Sequence, residues 1–93
     1  MKPNKLYRLL WKKFGRRHQI DVLIEEQVEL IKSLLKARRS KKKHTSAIIE
    51  ELADVEICVG QLKWYLKKKG VYQKVNKIKK YKLKRTKKLY LKH

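Results

Sequence analysis

The chain has 93 residues, of which 28 are lysine or arginine and only 8 are aspartate or glutamate, so its formal net charge is +20. That length predicts one domain, or one protomer of a larger assembly, and the hydrophobic content of 42% is sufficient for a packed core. A single cysteine, Cys58, excludes an internal disulfide framework and is typical of a reducing compartment. No apolar run approaches about 18 residues and no signal peptide is found, so we expect a soluble, cytoplasmic protein with no membrane segment.

The positive charge favours polyanionic partners, namely nucleic acids, nucleotides or an anionic membrane surface. The alternative interpretation is that lysine-rich helices simply keep a small protein solvated. Composition alone leaves both interpretations open.

Apolar residues recur with helical periodicity along the whole chain. Residues 4–14 form a short basic amphipathic segment that ends near Gly15. The first long helix is predicted from about Gln19 to Arg39. Its apolar stripe consists of Ile20, Leu23, Ile24, Gln27, Ile31, Leu34 and Leu35.

A second long helix is predicted to follow the charged connector 40–44 and to continue to about Lys68, with Gly70 as its C-terminal stop. It carries two apolar stripes, and a helix that is apolar on two sides packs on two sides. The first stripe is Ile48, Leu52, Val55, Val59, Leu62 and Leu66, and the second is Ile49, Ala53, Ile57, Gly60 and Trp64. The polar seam between them is Glu50, Glu51, Asp54, Cys58, Gln61 and Tyr65. We therefore expect neighbouring helices to enclose this seam.

A last, lysine-rich helix is predicted from about Tyr72 to near the end of the chain. The predicted fold is all-α: the two long helices form an antiparallel hairpin, and the last helix returns across them. We expect protomers to associate into a dimer or a tetramer, which would bury the second stripe in a four-helix core.

All eight acids lie in two short clusters, residues 21–29 and 50–56. The first cluster contains the motif E-E-x-x-E (Glu25, Glu26 and Glu29), and the second contains E-x-x-D (Glu51 and Asp54). Residues three apart share one face of a helix, and facing pairs of carboxylates suit a hard metal ion. Within an enclosed seam such acids need a cation, either a metal ion or a basic side chain. The alternative is an exposed acidic face that balances lysines.

The order of these motifs resembles that of the MazG-like all-α nucleoside triphosphate pyrophosphohydrolases, notably their small phage-type members. The resemblance covers roughly residues 18–92, so we divide the chain into a basic N-terminal segment (1–17) and one MazG-like helical domain (18–93). It implies hydrolysis of a (deoxy)nucleoside triphosphate to the monophosphate and pyrophosphate, dependent on Mg²⁺ with Mn²⁺ as a substitute. For a phage-encoded member the location would be the host cytoplasm.

The resemblance also implies roles for individual residues. The metal ligands would be Glu26, Glu29, Glu51 and Asp54, and the catalytic groups would be Glu25 and Glu29. Glu25 would be a further ligand or the base that orients the attacking water. In the last helix, Lys82 and Arg85 match a segment that contacts phosphates in the family, so they would bind the substrate phosphates.

Other functions fit parts of the sequence. A non-catalytic nucleic-acid-binding protein would use the basic last helix, in which tyrosines alternate with lysines. Residues 4–14 have the composition of a membrane-surface segment, but packing onto the helical bundle is the simpler interpretation. Trp64 and Tyr65 could stack on a nucleobase, although a place in the core is the commoner use of such residues. A catalytically silent relative of the family is a further alternative.

Overall fold

The computed structural model describes residues 1–41 and 44–91, and within them the chain is all-α, as predicted. The helices are α1 (Pro3–Arg39), α2 (Thr45–Lys68) and α3 (Tyr72–Tyr90). Gly70, the second residue after α2, has a φ of 74°, which confirms it as the stop. The predictions for residues 42–43 of the connector and for the last two residues lie outside the described residues. In the described part, no helix is long and apolar enough to cross a membrane.

Helix α1 changes direction at Gly15, the predicted end of its first segment. Gly15 has φ 86° and ψ 163°, a backbone conformation that is essentially restricted to glycine because a Cβ atom would clash there. The break divides α1 into an N-terminal arm (residues 3–14) and a hairpin arm (residues 16–39).

The N-terminal arm packs on the second half of α2. An added Cβ on Gly60 would lie 3.0 Å from the hydroxyl of Tyr7, and the Trp11 ring stacks on Tyr65 at a centroid distance of 4.7 Å. From the first contact to the second, residue numbers increase on both helices, so the arm runs roughly parallel to α2. Packing of residues 4–14 onto the helical bundle, predicted in preference to a membrane-surface segment, is therefore confirmed.

The hairpin arm runs antiparallel to α2, as predicted. Gln19 pairs with Gln61, and Glu26 lies opposite Asp54. Residue numbers therefore rise by seven along the hairpin arm while they fall by seven along α2, as expected for antiparallel helices. Part of the predicted apolar stripe faces away from α2, however. Ile24, Ile31 and Leu34 are about half exposed, because the line of residues that meets α2 passes through the polar positions 19 and 26.

On α2 the seam faces α1, in agreement with the prediction for the 45–68 helix. Cys58 and Gln61 are buried and Glu51 is half-buried, although Glu50 and Asp54 are exposed. The second apolar stripe is partly exposed, with Ile49 and Ile57 half exposed or more. Burial of this stripe against another protomer remains a prediction.

Helix α3 does not return across the hairpin, and that prediction is wrong. Among the described residues α3 contacts α2 and makes no contact with α1, and residues 73–91 are exposed throughout. The physical reason is charge: α3 carries nine basic residues and no acid. Helix α1 has ten basic residues against four acids, so packing α3 along α1 would bring like charges together.

Candidate metal site

Three carboxylates converge at the interface between α1 and α2. One oxygen each from Glu26, Glu51 and Asp54 lies within 4.8 Å of the other two. Glu26 comes from the hairpin arm, whereas the other two lie three residues apart on one face of α2. Glu26 and Glu51 are half-buried and Asp54 is exposed, so the cluster sits at the edge of the interface, where a ligand from solvent can reach it.

No basic side chain of the described residues forms an ion pair with any of these three acids; the pair that is formed there joins Glu29 and Lys32. This is unexpected in a chain with 28 lysines and arginines. Around the seam the neighbours are instead uncharged, Cys58 and Gln61 among them. Among the described residues the three carboxylates therefore have no ion-pair partner.

The electrostatics of Glu26 reflect this arrangement. Its pKa is raised above the ordinary 4.5, first by burial and then by the charges of Asp54, Glu51, Glu29 and Glu25. All five causes act in the same direction. A cation bound among these oxygens would reverse the effect of the neighbouring charges, because it favours the ionised form.

Cys58 lies one turn beyond Asp54 and is buried. Burial raises the pKa of its thiol, and the charges of Glu26 and Asp54 raise it further. The residue therefore stays protonated at neutral pH and acts as a small apolar side chain below the carboxylates.

A pair of glutamines positions the two helices. The Gln19 amide donates a hydrogen bond to the Gln61 side-chain oxygen, and both residues are buried. The Nδ1 atom of His18 lies 2.9 Å from Gln19 Oε1. Glu26 and Asp54 each lie seven residues, two helical turns, from this pair, so the glutamine bond fixes the register that brings the acids together. Gln61 belongs to the seam predicted from the sequence, whereas Gln19 carries no motif signal and was not predicted.

The remaining acids of the first motif stand outside the cluster. Glu29 lies one turn after Glu26 and pairs with Lys32 at 3.4 Å, with both side chains more than half exposed. Glu25 is exposed. Both nevertheless lie near enough to raise the pKa of Glu26.

The predicted phosphate-binding residues lie on α3, away from the cluster. Lys82 and Arg85 are exposed, and the Arg85 guanidinium lies 5.9 Å from the ring centroid of Tyr81. Since the described part of α3 makes no contact with α1, the protomer by itself does not bring these residues and Glu26 together through packing.

Comparison with known proteins gives no significant match, whether by family model, by similarity to characterised sequences or by likeness to solved structures.

Proposed function

We propose that the protein is a Mg²⁺-dependent nucleoside triphosphate pyrophosphohydrolase that cleaves a (deoxy)nucleoside triphosphate to the monophosphate and pyrophosphate. The observation that carries the proposal is the convergence of Glu26, Glu51 and Asp54 without a cationic partner among the described residues. These three acids belong to the two motifs that resemble the MazG-like family, and they come from two different helices.

The donor set fits Mg²⁺, with Mn²⁺ as a substitute. All donors are carboxylate oxygens, which Mg²⁺ prefers, and it binds them at about 2.0–2.1 Å. To hold one ion at that distance together, the three carboxylate oxygens would have to lie closer to one another than the 4.8 Å limit of the cluster. Without a cation the carboxylates repel each other, so we expect their side chains to rotate slightly inward when the metal ion binds.

When bound, Mg²⁺ would neutralise charge on the substrate phosphates and lower the pKa of a coordinated water. The residues of the chain would divide the remaining work. Glu26, Glu51 and Asp54 would hold the ion, and Glu29 would join them after releasing Lys32. Glu25, exposed beside Glu26, would orient the water that attacks the α-phosphorus and accept its proton, with pyrophosphate as the leaving group.

The substrate phosphates would need cations near this site. Lys82 and Arg85 remain the proposed residues, and we assign them to the α3 helix of a neighbouring subunit because α3 does not pack on α1 of its own chain. The exposed stripe with Ile49 and Ile57 supports the association of protomers into a dimer or tetramer.

The proposal is tested by measuring pyrophosphate release from a panel of ribo- and deoxyribonucleoside triphosphates, with Mg²⁺ and with EDTA. Reaction in ¹⁸O-labelled water should place the label in the monophosphate, because the attack is at the α-phosphorus. No Mg²⁺-dependent turnover of any nucleotide, or label in pyrophosphate, would contradict the proposal.

A further inference from the structure

A second site lies between the N-terminal arm and the end of α2. It is a cavity of about 380 Å³ lined by Arg8, Trp11, Lys12, Trp64 and Lys68. This volume is within the usual range for ligand-binding sites, roughly 300–1,000 Å³. The resemblance assigns nothing to the arm residues, so the cavity is not part of the proposed hydrolase site.

Its aromatic walls are held in place. The ring centroids of Trp11 and Trp64 lie 6.1 Å apart, with the planes at an angle of 57°, and Trp11 also stacks on Tyr65. The Arg16 guanidinium donates a hydrogen bond of 3.5 Å to the Tyr65 hydroxyl, and this bond is the main reason that the pKa of Tyr65 is lowered. Two indoles set at an angle therefore present a fixed aromatic surface to the cavity.

All charged residues that line the cavity are positive. Three of its five lining residues are cations, and Lys68 Nζ lies 5.5 Å from the ring centroid of Trp64. Both contributing segments lack acids, since the chain has none in residues 1–20 or 57–93. A ligand that matches this cavity has a flat aromatic group and a negative charge beside it, which is the chemistry of a nucleotide unit.

The cavity is separate from the acidic cluster. Trp64 follows Asp54 by ten residues on α2, which corresponds to about 15 Å along the helix axis. Further exposed cations flank the cavity on both helices: Lys5 lies one turn before Arg8 on the arm, and Lys67 and Lys69 are the sequence neighbours of Lys68 on α2. Cations beyond the cavity on both helices suit a polymer backbone better than a single nucleotide.

We propose that this cavity binds single-stranded nucleic acid, with one base stacked on Trp11 or Trp64 and the flanking phosphates on Arg8, Lys12 and Lys68. Stacking on aromatic side chains requires an unpaired base, and a basic groove that follows the backbone is the usual complement to it. The proposal is independent of the pyrophosphohydrolase activity.

The test uses intrinsic fluorescence, because Trp11 and Trp64 are the only tryptophans of the chain. Titration with a single-stranded 12-mer of thymidylate or uridylate should quench their emission. The double variant Arg8→Gln/Lys12→Gln should bind at least about tenfold more weakly, and the slope of log K against log salt should fall by about 1.4, the value for two lost phosphate contacts on a single strand.

The matched control is Lys36→Gln/Arg38→Gln, which removes the same charge from exposed positions at the opposite end of α1. It should keep most of the affinity and the quenching, and far-UV circular dichroism should show both variants folded. Equal losses in the two double variants would overturn the proposal, as would saturable binding without quenching. It would also fail if duplex DNA or anionic vesicles bound more tightly than the single strand.

Discussion

Removing the charge of Glu26 should stabilise the metal-free protein. At 4.8 Å, the outer limit of the cluster, two unit charges repel by about 0.9 kcal/mol in water and about 3.5 kcal/mol at an effective dielectric of 20. Glu26 faces two such charges and is half-buried, but water and salt reach the edge of the site. We expect Glu26→Gln to raise the free energy of unfolding by about 1–2 kcal/mol at pH 7, in EDTA.

The pH dependence follows from the raised pKa of Glu26. A group with a raised pKa in the folded state contributes stability that is fully present below the ordinary value of 4.5 and is lost as the pH rises through the folded value. The stability contributed by Glu26 is therefore lost from the wild type as the pH rises from 4.5 through the raised pKa, and the glutamine variant lacks this loss. The advantage of Glu26→Gln should vanish at pH 4 and below.

Mg²⁺ should reverse the order. A ligand at 100 times its dissociation constant stabilises the folded state by about 2.7 kcal/mol, and in a domain of this size 1 kcal/mol moves the melting temperature by about 4–8 °C. Thermal melts by circular dichroism in EDTA and in Mg²⁺ measure both effects. Glu50→Gln, an exposed acid on α2, is the control, and it should show neither the gain in EDTA nor the loss of the Mg²⁺ response. Destabilisation by Glu26→Gln in EDTA, or an unchanged Mg²⁺ shift in that variant, would refute the reasoning.

Three further predictions concern the scaffold. Gly15→Ala should cost about 1–3 kcal/mol, because φ 86° with ψ 163° is strained for any other residue; an unchanged urea midpoint would contradict this. Gly60→Leu should displace Tyr7, which already lies 3.0 Å from an added Cβ, and shift tryptophan emission to the red as the arm detaches; unaltered emission would show that the arm is held elsewhere. Gln61→Leu should cost about 1–3 kcal/mol by leaving the buried Gln19 amide unpaired, and adding Gln19→Leu should restore most of the loss. A double variant less stable than the single one would contradict that.

The extent to which the sequence predicted the site differs between the two helices. On α2 the local pattern was sufficient: two apolar stripes with polar residues between them predicted that the seam would face another helix, and Glu51 does so. On α1 the apolar pattern predicted the wrong face. Ile24 and Ile31 belong to the predicted apolar stripe, but both remain about half exposed. The inward position of Glu26 depends on the pairing of Gln19 with Gln61, a contact between residues 42 positions apart that periodicity does not encode.

The position of α3 relative to the other helices also could not be predicted from the local sequence pattern. Its amphipathic sequence predicted a helix correctly, but an apolar side with Val75 and Ile78 does not specify which surface it meets. Long-range repulsion among the basic residues of α1 and α3 depends on the whole charge distribution, so it appears only when the helices are placed in space. The break at Gly15, by contrast, was predicted from one residue, because glycine favours a backbone conformation that other residues avoid.

The most direct test of the central claim compares Mg²⁺-dependent pyrophosphate release by two matched pairs of α2 variants. Glu51→Gln and Asp54→Asn each remove one carboxylate of the cluster, whereas Glu50→Gln and Glu56→Gln remove exposed acids from the same helix. We predict that the first pair loses turnover by at least about a hundredfold, the order of magnitude for one lost electrostatic contact to a transition state, and that the second pair stays within a few-fold of wild type. Equal activity in all four variants, or no turnover by the wild type, would contradict it.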